Sequence, residues 1–202
     1  GACGIAMRVK GETAQEMAGF VDAVHARLEL LAASSKTLIV LPSYNGARKL
    51  PVLTPLLALL LAQRGWPVLV HGHSTEERRI SSQAVLAALG VDALTKLHAI
   101  QPGQVAFAPT ALLLPGLARL LDVRRALGLR SSAHSVVKLM DPLSPVAGDS
   151  LVVSSYTHPE FAISMAETIA LTGLDALLLR GTEGEPVADP WRMLPLAAFQ
   201  AG

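Results

Sequence analysis

The stretch 37–82 constrains the fold of this chain more than any other. It holds two short apolar segments, at 38–41 and 67–71, on either side of a longer apolar segment at 52–64. Short apolar runs with β-branched residues are typical of strands that are covered on both faces, and a helix between two such strands gives a βαβ unit. The chain is therefore predicted to form a parallel sheet, with its ligand site beside the carboxyl ends of the strands.

The rest of the chain continues this alternation. Further strands are predicted at 104–107, 151–154 and 176–179, and further helices at 83–89, 111–127 with a break at Pro115, and 159–171. Residues 1–31 are predicted to be helical, because Thr13 and Glu16 have the spacing of a capping box. We predict an α/β protein: a small, truncated helical part (1–33) precedes a larger α/β domain with a mostly parallel sheet (34–202). The tail after Pro186 has no clear period and is predicted to be irregular.

Composition narrows the class of protein. Hydrophobic residues make up 51% of the 202 residues and charged residues 16%, which excludes a disordered chain. The most apolar run, at 52–62, is about half as long as a membrane span, so no membrane partner is expected. The single cysteine, Cys3, fits a reducing compartment, and a cytoplasmic location is expected. The chain begins without a methionine and in mid-helix, so we expect it to be part of a longer protein.

Basic residues are clustered although the net charge is only +1. Two pairs follow the first two strands, and a denser group begins at the end of the helix at 111–127. The helix dipole accounts for one or two cations at a helix end but not for four. These groups predict a phosphate-binding surface, and solvated surface loops are the alternative for the two pairs. The members are Arg48 and Lys49, Arg78 and Arg79, and Arg124, Arg125, Arg130 and Lys138.

The histidines do not indicate a metal or a nucleophile. His71 and His73 are one residue apart on an extended segment, which directs them to opposite faces, and no third ligand has suitable spacing. Ser131 and His134 have no acidic residue nearby in the sequence, so a Ser-His-Asp arrangement cannot be argued. We predict no catalytic residue, no metal and no cofactor.

Glu183 and Glu185 leave two interpretations open. Two nearby carboxylates can hold Mg²⁺ or perform acid–base chemistry. Pro186 and the adjacent glycines favour a plain turn instead.

Five motifs resemble those of the anthranilate phosphoribosyltransferases. They are MRVKGET at 7–13, HG at 71–72, AVLAALG at 84–90, FAP at 107–109 and RRALGLR at 124–130, in the same order and at similar spacing. The resemblance covers nearly the whole chain. It implies that family's fold, a small helical domain beside a larger α/β domain, and a homodimer formed through the helices. It also implies that further helices and a C-terminal portion lie outside this chain.

The catalytic motifs of that family are replaced here. Its phosphoribosyl pyrophosphate loop, Gly-Thr-Gly-Gly-Asp, corresponds to LPSYN at 41–45, and its Asn-Ile-Ser-Thr to PVLT at 51–54. The lysine before its His-Gly is Val70 here, the asparagine after it is His73, and its Mg²⁺-binding Asp-Glu pair falls on 186–187. Losing the loop glycines removes the close approach of backbone to pyrophosphate, and losing the carboxylates removes the metal. Both losses disable phosphoribosyl transfer.

Some basic positions are retained. Arg130 matches the arginine region that binds anthranilate in the family, and Arg79 matches a basic position in its second phosphate loop. The substituted motifs, LPSYNGARKLP, VLVHG, RSSAH and RGTEGEP, resemble those of the YbiB-type branch of the same superfamily, which is described as DNA-binding. That resemblance implies contacts to the nucleic-acid backbone with weak sequence selectivity. Tyr44, at a predicted loop tip, is expected to stack on a base.

We therefore expect a DNA-binding, non-catalytic homodimer. One alternative is a phosphoribosyl or glycosyl transferase with an altered pyrophosphate loop, and another is a structural or regulatory dimer with a vestigial pocket. The predicted nucleic-acid and phosphate contacts are Ser43, Tyr44, Asn45, Arg48, Lys49, His71, His73, Arg78, Arg79, Arg124, Arg125, Arg130, His134 and Lys138.

Overall fold

The computed structural model describes residues 2–143, 149–189 and 195–200. The helices are α1 (Ala2–Lys10), α2 (Ala14–His25), α3 (Thr54–Gln63), α4 (Ser82–Ala88), α5 (Thr110–Leu113), α6 (Pro115–Leu127), α7 (Ala133–Val136) and α8 (Glu160–Thr172), with a 3-10 turn at Val137–Leu139. The strands are β1 (Leu38–Ser43), β2 (Val68–Gly72), β3 (Val105–Pro109), β4 (Ser150–Tyr156), β5 (Ala176–Thr182), β6 (Glu185–Ala188) and β7 (Ala197–Phe199).

The sheet is mostly parallel, as the sequence predicts. Its order is β3-β2-β1-β4-β5-β6, and β7 also pairs with β5. Strands β1 to β5 run parallel, whereas β6 and β7 run antiparallel to β5. The chain leaves β1 towards β2 on one side and later returns to β4 on the other side. The carboxyl ends of β1 and β4 are therefore the switch point, where open α/β sheets bind ligands.

Side chains of the central strand point alternately into two cores. Val40 packs into a core on one side with residues of α2, α6 and α8, such as Val21, Leu121 and Ile169. Ile39 on the same strand packs on the other side with residues of α3 and α4. Every residue of β1 is buried, which explains the unbroken apolar run at 38–42. The fold is a sheet between two helical layers.

The local predictions hold for most elements. Thr13 and Glu16 form the predicted capping box at the start of α2, and Leu114 in an extended conformation separates α5 from α6 just before Pro115. The prediction of an irregular tail is wrong, because β6 and β7 complete the sheet beside β5. Residues 190–194 of that tail lie outside the described residues. The domain boundary after residue 33 stays a prediction. No helix in the described ranges is long and apolar enough to cross a membrane.

Candidate phosphate-binding edge

The loops after β1 and β2 lie side by side at the carboxyl edge of the sheet. Ala47 and Ile80 join them through two backbone hydrogen bonds, of 2.9 and 3.0 Å. Gly46 permits this contact, because a Cβ there would lie 2.6 Å from the carbonyl oxygen of Ile80. The pairing brings Arg48 and Lys49 close to the second basic pair.

The basic group after α6 meets the same edge. Arg124 forms an ion pair with Glu76, and Arg79 binds the other oxygen of that carboxylate at 2.6 Å. Arg125 donates to the carbonyl oxygen of Ser74 at 2.8 Å. All three basic groups predicted from the sequence therefore lie at one edge of the sheet. We call this surface the basic edge, and define it by the loops at 43–50 and 73–80 and the end of α6.

Three exposed cations of the basic edge have no ion-pair partner among the described residues, whereas the exposed Arg125 is paired with Asp122. Arg48, Lys49 and Arg78 all extend into solvent. In the part of the chain that the structure describes, none of the three forms an ion pair. They are free to meet an anionic partner.

Beside the basic edge lies a cavity of about 450 Å³. Arg8, Arg124 and Arg130 contribute positive charge to its lining, and Phe161 and Met165 form an apolar wall. Burial, together with the charge of the neighbouring Arg124, lowers the pKa of Arg130 to about 10. Arg130 stays cationic at neutral pH and offers an anion contact in the cavity, whose lining also includes the carboxylates of Glu12, Glu76 and Glu183.

Two predicted contacts at this cavity are buried. Burial, with help from Arg130, lowers the pKa of His134 to about 4, so its imidazole is neutral. Lys138 donates from Nζ to the carbonyl oxygens of Ser155 and Gly184, each at 3.0 Å, and burial lowers its pKa to about 8. Two of the three ammonium donors of Lys138 are therefore used by backbone carbonyls, and the phosphate contact predicted for this residue stays a prediction.

A buried carboxylate occupies the start of the loop after β1. Glu185 accepts hydrogen bonds from the backbone N–H groups of Asn45 at 2.9 Å and Gly46 at 2.8 Å. The hydroxyls of Ser43 and Thr54 donate to it at 2.5 and 2.8 Å. These donors lie at and next to the positions that correspond to the pyrophosphate loop. The carboxylate of Glu185 therefore occupies a place where an external anion would otherwise bind.

A second carboxylate of the same hairpin continues this pattern. Glu183 accepts from the backbone N–H groups of Arg48 at 2.6 Å and Lys49 at 3.0 Å. The side-chain amide of Asn45 donates to the carbonyl oxygen of Glu183 at 2.9 Å. The interpretation of Glu183 and Glu185 as a plain turn is therefore incomplete, because the two carboxylates attach the β5–β6 hairpin to the loop. Ser43 and Asn45, predicted as phosphate contacts, use their polar groups in this attachment.

Tyr44 is buried rather than at a loop tip, so its predicted stacking on a base is wrong. Its Oη lies 2.7 Å from Nδ1 of His71 and 2.9 Å from Oγ1 of Thr110. Burial raises the pKa of the Tyr44 hydroxyl and lowers that of His71 to about 3. His71 is thus neutral and fully buried, which also excludes the predicted phosphate contact by this side chain.

The two histidines of the HGH segment have separate partners, as their spacing predicts. Nε2 of His73 lies 2.9 Å from Oδ1 of Asp122, whereas His71 faces Tyr44. Among the described residues, no group of three or more His, Cys, Asp or Glu side chains is arranged to hold a metal ion.

Sequence reasoning missed the partners that complete the site. Glu185 lies about 140 residues from the amides that it binds, and Arg8 reaches the cavity from α1. The hydroxyls of Ser43 and Thr54 were a usable signal for a buried acceptor at this loop. They are hydrogen-bond donors at positions where the family's loop has other residues or the same threonine. Nothing in the local sequence of Glu185 identifies its partners.

Comparisons with known proteins support the fold and identify relatives of the chain. The chain is 40% identical over 197 residues to the uncharacterized protein YbiB of Escherichia coli K12, covering 93% of this chain and 60% of YbiB. It is 28% identical over 184 residues to an anthranilate phosphoribosyltransferase of Leifsonia xyli, covering 89% of this chain and 52% of that enzyme. No family model matches the chain.

The solved structures give the same result for the fold. The crystal structure of anthranilate phosphoribosyltransferase from Thermus thermophilus matches with a TM-score of 0.68 and 24% identity, covering 92% of this chain and 56% of that one. The chain spans between one half and two thirds of the length of the relatives it matches. It is homologous to the anthranilate phosphoribosyltransferases and to the YbiB-like proteins.

Proposed function

We propose that this protein binds nucleic acid through the basic edge and does not transfer phosphoribosyl groups. One observation carries the proposal: carboxylates of the chain itself accept from backbone N–H groups at and directly after the positions that correspond to the pyrophosphate loop, and exposed cations lie beside them. A bound pyrophosphate needs close backbone N–H groups. Side-chain cations on a surface suit a phosphate backbone, which they contact by releasing counterions.

The arrangement favours contacts that do not depend on base sequence. Arg48, Lys49 and Arg78 are long, exposed side chains, and cations of this kind bind phosphate oxygens rather than base edges. The aromatic content of 4% and the burial of Tyr44 argue against a stacking platform. A cytoplasmic homodimer formed through the helices belongs to the same proposal.

The test is a fluorescence anisotropy titration with labelled single-stranded and double-stranded DNA and with RNA. We expect the affinity to fall by at least tenfold between about 50 and 200 mM salt. Replacing Arg48, Lys49 and Arg78 together by Gln should weaken binding at least tenfold for every sequence. It should also reduce the slope of log affinity against log salt by about 2 to 3.

The matched control removes three exposed cations outside the basic edge: Lys36→Gln and Arg64→Gln, which directly precede β1 and β2, and Arg27→Gln, just after α2. This variant loses the same net charge, and we expect less than a threefold change in affinity. Equal loss in both triple variants, or no binding at about 50 mM salt, would refute binding at the basic edge.

A transferase with an altered pyrophosphate loop is the second candidate. The cavity of about 450 Å³ favours it, because the volume suits a small ligand and Arg130 supplies an anion contact. A yeast anthranilate phosphoribosyltransferase of the same fold has been solved with phosphoribosyl pyrophosphate and Mg. Turnover of phosphoribosyl pyrophosphate that requires a divalent metal would support this candidate. If saturating phosphoribosyl pyrophosphate and Mg²⁺ leave the melting temperature unchanged, it fails.

A further inference from the structure

The carboxylate of Glu183 lies where an external anion would fit. Successive backbone N–H groups, from Arg48 and Lys49, converge on its two oxygens at 2.6 and 3.0 Å. Convergent N–H groups of this kind bind phosphate oxygens in other proteins. The side chains of Arg48 and Lys49 are exposed, so two cations start from the same two residues that supply the N–H groups.

The electrostatic surroundings of Glu183 also suit an anion. Partial burial raises the pKa of this carboxyl, but the backbone N–H groups of Arg48 and Lys49 and the charge of Arg79 outweigh it and hold the pKa below its ordinary value. The same donors and the same guanidinium would act on any anion at this place. Glu183 is therefore ionised at neutral pH and competes for them.

Glu183 differs from Glu185 in how firmly it is held. Glu185 is buried and has four donors from three parts of the chain. Glu183 is only partly buried and has backbone donors from one loop. Its φ of +51° lies in the left-handed region, which is uncommon for a residue other than glycine. Glu183 can leave its donors while Glu185 keeps the hairpin attached.

We propose that the N–H groups of residues 48 and 49 form a phosphate-binding site, and that Glu183 closes it as an internal competitor until a nucleic-acid phosphate takes its place. This inference rests on the proposed function for the identity of the ligand. The phosphate would accept from the two N–H groups and lie beside the side chains of Arg48, Lys49 and Arg79. The affinity of the wild-type protein is then lower than its basic edge alone would give.

The experiment compares Glu183→Gln with Glu77→Gln. Both variants remove one negative charge from the same edge, but the Glu77 side chain is 93% exposed and lies 4.0 Å from its ion-pair partner, Arg125. We expect Glu183→Gln to bind a labelled oligonucleotide about tenfold more tightly, with a salt slope steeper by about one. Glu77→Gln should change the affinity less than threefold. Glu183→Gly removes the acceptor oxygen that a Gln amide would still offer to the two N–H groups, and it suits the positive φ, so it should bind at least as tightly as Glu183→Gln.

Inorganic phosphate provides an independent arm, measured by calorimetry. We expect Glu183→Gly to bind it and the wild type and Glu77→Gln not to. If oligonucleotides bind but Glu183→Gly and Glu77→Gln have equal affinities, the internal competitor is refuted and the proposed function stands. If no variant binds oligonucleotides but Glu183→Gly binds phosphate, the site stands and the proposed function fails. If Glu183→Gly gains neither ligand, the site is refuted.

Discussion

Replacing Glu185 by Ala should destabilise the protein more than any other single change at the site. The side chain is only 2% exposed, and it accepts from two backbone amides and two hydroxyls. The hydroxyl of Ser82 lies 2.7 Å from that of Ser43, so it extends the network by one member. Removing the carboxylate leaves the amides of Asn45 and Gly46 without an acceptor.

The size of the effect follows from these donors. A buried donor without a partner costs about 1–3 kcal/mol, and charged hydrogen bonds lie at the upper end. The two hydroxyls can rotate towards other acceptors, whereas the two amides are fixed by the backbone. We expect Glu185→Ala to lower the free energy of unfolding by about 3–5 kcal/mol, in the range seen when one partner of a buried charged contact is removed. For a domain of this size, this equals about 6–20 °C in melting temperature.

Glu185→Gln separates the charge from the acceptor geometry. Its amide oxygen can accept from both backbone amides, and its NH₂ group can donate to the rotated hydroxyls of Ser43 and Thr54. We expect a loss of about 1–2 kcal/mol for this variant. Urea unfolding of both variants and of the exposed control Glu77→Ala measures the difference. A loss below about 1 kcal/mol for Glu185→Ala would refute the role assigned to this carboxylate.

Two further predictions concern the buried tyrosine and histidines. Tyr44→Phe should lower the free energy of unfolding by about 1–2 kcal/mol, because His71 and Thr110 lose a hydrogen-bond partner. It should leave the affinity for oligonucleotides unchanged. A large loss of affinity would contradict the burial of Tyr44. His71 and His134 have pKa values of about 3 and 4 when folded and about 6.5 when unfolded. The unfolded chain therefore binds more protons between these values. The stability that these two histidines contribute is full above pH 6.5 and falls towards pH 4, by about 2 kcal/mol per histidine at pH 5. Urea unfolding at pH 7.5 and 5 measures this, and equal stabilities would contradict it.

The fold was predictable because its signals are local. The apolar run of β1 and the capping box of Thr13 and Glu16 report on neighbouring residues, and both are present in the structure. The short strands β6 and β7 were not predictable in this way. They pair with β5 at its end and edge, and β6 begins at a buried glutamate, which no rule for strand sequences favours.

The candidate site was predictable in its charges but not in its contacts. The three basic groups could be found from the sequence, because each follows a strand or ends a helix. Which of them are free could not be found, because this depends on partners far away in the chain. Arg124 is paired with Glu76 across about fifty residues, whereas Arg48 extends into solvent. Whether Tyr44 and Lys138 are buried likewise depends on the whole fold and could not be found from the sequence around them.

The loop after β1 lacks the glycines of the family's pyrophosphate loop, and its backbone N–H groups are bound to two carboxylates of the chain itself. This difference changes which anions suit the basic edge. Backbone N–H groups are rigid and select a compact ligand whose oxygens match their positions. While Glu185 and Glu183 occupy those groups, long side chains such as Arg48, Lys49 and Arg78 are the first to contact an anion. Such side chains adapt to phosphates at many spacings and act mainly through charge, which salt screens. An edge of this composition therefore favours an extended, repeating polyanion over a single pyrophosphate. Its selectivity should come from where along the edge the phosphates lie rather than from the identity of the bases.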